Sequence, residues 1–204
     1  MDGQDYLDQI SASNRPIKKK RSSFLSSKFF LVGAIGLACL IVIIIIGSVL
    51  SGGKNSEKNL SYALALHIDN TATIIKEYQS DLKSSNLRSS AASLSGVLAD
   101  TSGKLTNYLS EKYNYKPNDV DQKIKEQATL EKDGLESDLF EAKINGVLDR
   151  IFTHKISYEI SMLMTEEAKI QNSTKDETLQ EIMSTSYSSL STIYDKFNNY
   201  SETN

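Results

Sequence analysis

Cysteine is almost missing: Cys39 stands alone, so no disulfide can close within the chain, and a paired-thiol redox centre is set aside. Proline occurs only at Pro16 and Pro117, and tryptophan not at all. Beyond residue 53 there are no β-branched runs bounded by turn signals, which argues against a domain built of strands. The remaining absence is local. Phe29 to Leu50 holds 22 positions without one charge, and Leu40 to Ile46 is wholly aliphatic.

A hydrocarbon slab about 30 Å thick needs roughly 20 apolar residues in helical form, so residues 29–50 are expected to cross a bilayer once as a transmembrane helix. A cleaved secretory signal has a shorter apolar core, about 7 to 15 residues, and ends at small residues. Cleavage after Ser48 or Gly52 is the alternative here. Gly36-Leu37-Ala38 before Cys39 is a poor lipobox, because the leucine is misplaced and aliphatic residues come after the cysteine. Cys39 therefore reads as a packing or lipid-facing thiol.

Arg15, Lys18, Lys19, Lys20, Arg21 and Lys28 place six basic residues within 14 positions ahead of the run, while Lys54 and Lys58 lie just beyond it. Positive residues stay on the cytoplasmic side, so residues 1–28 are expected to be a disordered basic cytoplasmic tail. Residues 51–56 are a linker, and 57–204 an extracytoplasmic helical bundle at the cell membrane. The tail takes six of the 23 basic and three of the 26 acidic residues. What remains carries a net charge of about −6, which argues against nucleic acid as a partner.

Within the exported part, apolar residues recur at helical spacing. Leu60, Leu64, Ile68, Thr71, Ile75, Tyr78 and Leu82 predict a first helix from about Glu57 to Ser84. Leu87, Ala91, Leu94, Leu98, Thr101, Leu105, Tyr108 and Leu109 predict a second, starting near Asn86. The link between them is short enough to force an antiparallel hairpin. Lys112 to Asn118, with Pro117, reads as a loop. After it come a short helix over 119–132, a bend at Gly134 and a long third helix to about Gln171. Thr174-Lys175-Asp176-Glu177 has the form of a capping box opening a last helix through Leu179, Ile182, Met183, Tyr187, Leu190, Ile193, Tyr194, Phe197 and Tyr200. The expected class is all-α: an antiparallel up-down-up-down four-helix bundle behind one membrane helix. Serine, threonine and alanine in the stripes make the core modest, which leaves room for a homo-oligomer or another stabilising partner.

A di-iron bundle carries Glu-x-x-His on two helices. Leu64 stands three before His67 and Ile151 three before His154, so that motif is absent. Tyr158 and Glu159 after His154 leave room for a pocket there, but a hydrogen-bonded or surface histidine is the preferred reading. Glu166-Glu167, Asp138-Glu141 and Glu177-Glu181 read as solvated helix faces rather than paired acid/base groups. Asp119 and Asp121 begin a calcium-like loop that lacks its glycine and has Lys123 in a ligand slot. Tyr113, Tyr115, Tyr194 and Tyr200 are candidates for recognition, with core filling at helical spacing the alternative for most of the tyrosines. Asn59, Asn172 and Asn199 match the N-x-Ser/Thr acceptor pattern. No catalytic, metal-ligating or cofactor-binding residue is assigned.

The first hairpin, the segment from Leu139-Phe140 to His154, then Glu166-Glu167-Ala168 and the last helix resemble the exported bacterial ferritin-like domains of unknown function. The resemblance implies a ferritin-like bundle. It does not carry a metal site over, since Ser, Asp and Thr replace the second-helix histidine that such families usually have. The functional expectation is a cell-surface bundle, non-catalytic, touching membrane lipid through residues 29–50 and an envelope or surface protein through its exported part. A small-ligand or metal-binding bundle using His67 or His154, and a sensory ectodomain working with a partner, are the alternatives.

Overall fold

A computed structural model describes residues 56–200. The tail 1–28, the span 29–50 and the linker up to residue 55 lie outside the described residues. Among the described residues there are five α-helices and no strand, and no helix is long and apolar enough to cross a membrane.

Helix α1 (Ser56–Tyr78) buries the stripe read from the sequence, with Leu64, Ile68 and Ile75 fully covered. It stops short of Ser84. A 3-10 turn over Gln79–Asp81 leads to Leu82, which is buried in extended conformation (φ −65°, ψ 134°). Ser84, not Asn86, caps α2 (Ser85–Tyr113): its hydroxyl accepts from the Leu87 amide. Arg88 then closes the turn by donating to the carbonyls of Leu82 and Lys83. At the other end of α2, Asn114 takes the left-handed region (φ 54°), a conformation that asparagine tolerates better than most residues. The Tyr115 amide bonds back to the Leu109 carbonyl.

Helix α3 (Gln122–Ile144) corrects the sequence reading twice. It begins on Asp121, whose carboxylate accepts from the Lys123 amide, and it passes through Gly134 without a bend. A glycine inside a helix costs about 1 kcal/mol relative to alanine but obliges no break. The break comes at Gly146, whose φ of +71° no helix can accommodate. The Val147 amide returns to the Ala142 carbonyl there, a left-handed terminus that glycine favours. Helix α4 (Leu148–Ser173) comes next. Helix α5 (Glu177–Asn198) is capped by Asp176, which accepts from the amides of Thr178 and Leu179. The capping residue is thus two positions later than the Thr174 expected. Thr174 instead accepts from the Asp176 amide and orders the approach.

The four-helix expectation therefore becomes five. Side-chain pairs set the directions: Glu57 meets Lys112, Thr101 meets Ser186, and Lys83 with Ser84 meet Asp149. Asn70 and Tyr78 donate to the Ala128 and Glu136 carbonyls, which makes α3 parallel to α1. α1, α2, α5 and α4 pack in that cyclic order, each antiparallel to its neighbours. α3 lies outside this ring against α1 and α4. Going along the chain, the ring helices run up, down, down, up rather than strictly alternating, because α3 is the crossover that returns the chain before α4. The core fills the ring, with Phe152 and Phe197 stacked at a tilt, ring centroids 6.2 Å apart.

Candidate functional site

His67 arises in the α1 stripe one residue before Ile68, and the helical period turns it toward α4. There Glu159 and Glu166, seven positions apart and so on one face, receive it from both sides. Its Nε2 lies 2.9 Å from Glu159 Oε2, and its Nδ1 lies 3.1 Å from Glu166 Oε2. Burial alone would lower the His67 pKa. The charges and hydrogen bonds of Glu166 and Glu159 outweigh it and raise the pKa well above the ordinary value. The imidazole is therefore an imidazolium at neutral pH, donating from both nitrogens.

Glu131 of α3 feels the same cluster, its carboxyl group crowded by protein although the residue as a whole is exposed. Burial of its carboxyl raises its pKa, the Gln127 hydrogen bond and the His67 charge work against that, and the Glu166 and Glu159 charges add to it. The hydrogen bonds of the cluster tie α1 to α4. Because the two ring nitrogens point in opposite directions, the carboxylates sit on opposite edges of the ring and do not converge on one point. Among the described residues no group of three or more His, Cys, Asp or Glu is arranged to hold a metal ion.

A second polar chain runs through the ring. Thr101 on α2 donates to the Ser186 hydroxyl on α5 at 2.9 Å, and Ser186 donates to Glu167 Oε1 on α4 at 2.5 Å. Glu167 is 0 % exposed, and its Oε2 has no hydrogen-bond partner. Burial pushes its carboxyl up to about 8, the Ser186 hydrogen bond pulling down and the Glu166 charge pushing up. It is a neutral acid at pH 7, with Oε2 left to hold the proton.

At the end where α1 begins, Lys112 bridges Glu57 and Asp176, each at 3.0 Å, and also meets the Tyr108 hydroxyl. Burial alone would raise the Glu57 carboxyl pKa. Hydrogen bonds from Tyr113 and Lys112 outweigh it and hold the carboxyl below its ordinary range. This clamp joins the ends of three helices.

Several sequence expectations change here. Glu166-Glu167 is no solvated face, since one carboxylate holds His67 and the other is buried in the ring. Glu159 belongs to His67 and not to His154. His154 lies instead over a pocket between α4 and the end of α5, with Arg150, Ser157 and Asn198. Tyr113 and Tyr115 pack edge-on and tilted against Tyr62, and Tyr115 is buried, so both are occupied in the fold. Asp121 is a helix cap. The polar ring chain had a legible signal, because Thr101 stands within the α2 stripe, Ser186 between Met183 and Leu190, and Glu167 between Leu163 and Ile170. The pairing of His67 with two glutamates had none beyond their shared face on α4.

No protein-family model, no curated protein and no solved structure matches the chain.

Proposed function

We propose that the chain is a single-pass membrane protein whose helical bundle works outside the cytoplasm by contact with an envelope or surface protein, without catalysing a reaction. The carrying observation is the 22-residue uncharged run behind six basic residues, a signal-anchor pattern that holds residues 51–204 on the exported side. The bundle supports the non-catalytic part of the reading. His67 has both nitrogens engaged and keeps its proton at neutral pH, so it is not poised as a general base. The strongest charge clusters bind helix to helix. On α3, Leu130, Phe140 and Ile144 remain exposed within an arc of about 80°, apolar surface that the bundle itself does not cover.

The ferritin-like resemblance fits this reading at the level of architecture. Bundles of that class carry one long crossover connection, and α3 supplies one between the second and third ring helices.

The test is protease treatment of intact cells with the chain tagged at each end. Cleavage beyond residue 60, with the N-terminal tag protected and the remnant in the membrane fraction, is the expected result. Full protection of the bundle, or an intact chain released to the medium, overturns the reading.

A further inference from the structure

The end of the bundle remote from Ser56 carries a pocket of about 330 Å³ between the first turns of α4 and the last turn of α5. Arg150, His154 and Ser157 fall on one face of α4 by their spacing of four and three. Phe197, Asn198 and Tyr200 close the pocket from the other side. Phe197 is fully buried and gives the pocket an apolar floor.

The charge at this place is unusual for an acidic domain. No carboxylate lines the pocket, whereas the groove between α2 and α5 includes Asp100, and its neighbour includes Glu111 and Glu181. Two acids near this end are already engaged, and Asp195 of α5 is not among the residues lining the pocket. Asp149 spends its two oxygens on the Lys83 and Ser84 amides, at 2.9 and 2.8 Å, and Asp138 is paired with Lys155. Arg150 is left with no ion-pair partner among the described residues. The Ser157 hydroxyl is buried at the pocket with no hydrogen-bond partner of its own. Arg150, whose guanidinium cannot lose its charge, thus lines one concavity together with His154, Ser157 and Asn198.

We infer that this pocket binds a small molecule bearing an oxyanion, carboxylate or phosphate, on an apolar or ring-shaped body. A guanidinium presents paired N–H donors that match two oxygens of such a group, and an apolar floor suits the rest of the molecule. The site stands on the pocket alone and does not depend on how the chain is tethered.

Isothermal titration of the purified full-length chain with phenyl phosphate and with benzoate tests it. The expected result is saturable one-to-one binding of at least one of the two. In Arg150→Gln the affinity is expected to fall at least about tenfold, the loss of one charge-assisted contact. His154→Gln should weaken the same probe about twofold to fivefold, while Lys104→Gln, which alters the Asp100 pair elsewhere, should leave it unchanged. Circular dichroism confirms that each variant is folded. Absence of saturable binding of both probes up to about 10 mM, or Arg150→Gln binding within twofold of the unaltered chain, overturns the inference.

Discussion

His67 and Glu166 are 99 positions apart in sequence, yet their side chains meet at 3.1 Å on facing helices. With Glu159 on the other ring edge, the contact gives the α1–α4 interface a cation held between two carboxylates, each residue less than a fifth exposed. Removing one partner from such a cluster leaves the others desolvated and unpaired, which costs about 3 kcal/mol.

His67→Gln is accordingly expected to lower unfolding stability by about that amount near pH 6. The pH dependence has a definite sign. The folded pKa of His67 lies above its ordinary 6.5, so the stabilisation is complete below about that pH and is lost as pH rises through the raised value. Urea unfolding of the two proteins from pH 6 to pH 10 should show the gap between them narrowing as pH climbs. A gap that widens with pH would count against an imidazolium in the cluster.

Glu167 has the opposite chemistry. Its folded carboxyl titrates near 8 against an ordinary 4.5, so the unaltered protein loses stability as pH rises across that interval. Glu167→Gln keeps the shape and an oxygen for Ser186 but never ionises. It is expected to match the parent near pH 5 and to exceed it by about 2–4 kcal/mol at pH 9. Equal stability of the two at pH 9 would show that the ring interior accepts the charge.

Much of the helical content was legible because α1, α2 and α5 carry apolar stripes, and most residues read into those stripes are buried, Tyr187 of α5 being an exposed exception. α3 was not. Leu130 and Ile144 suggest an inward face by their spacing, but both lie exposed, and only Leu135, Leu139 and Ala142 of that helix are buried. A helix outside the ring needs only a narrow seam against two neighbours, and a narrow seam leaves a weak period. The His67 cluster was illegible for another reason: it depends on which helices become neighbours, and α4 reaches α1 only because α3 carries the chain across.

Asp149 offers a test of how the turn between α1 and α2 is held. Its carboxylate accepts from two consecutive amides, those of Lys83 and Ser84, from a helix 65 or 66 positions later in the chain. Asp149→Ala leaves both donors without this acceptor, and a hydrogen bond to a charged group contributes about 1.5–3 kcal/mol, less at the exposed Lys83 amide where water can replace it. A net loss of about 2 kcal/mol is expected in denaturant titration, with amide exchange at Lys83 and Ser84 accelerated more than at Leu94 or Leu98 in the core. Unchanged exchange at those two amides would mean that the turn is held by Arg88 alone.

Gly134 and Gly146 should respond to alanine in opposite directions. Gly134 lies within α3, where an added Cβ meets no atom within 4 Å, and alanine there gains helix propensity and loses less backbone freedom on folding. Gly134→Ala is expected to stabilise by about 0.5–1 kcal/mol. Gly146 also has open space around it, but its φ of +71° is strained for any residue with a Cβ. Gly146→Ala is expected to cost about 1 kcal/mol, because the left-handed terminus of α3 must be kept if α4 is to turn back against it. Thermal unfolding of both variants checks the pair. Equal shifts of the same sign would contradict a chain that runs straight through the first glycine and reverses at the second.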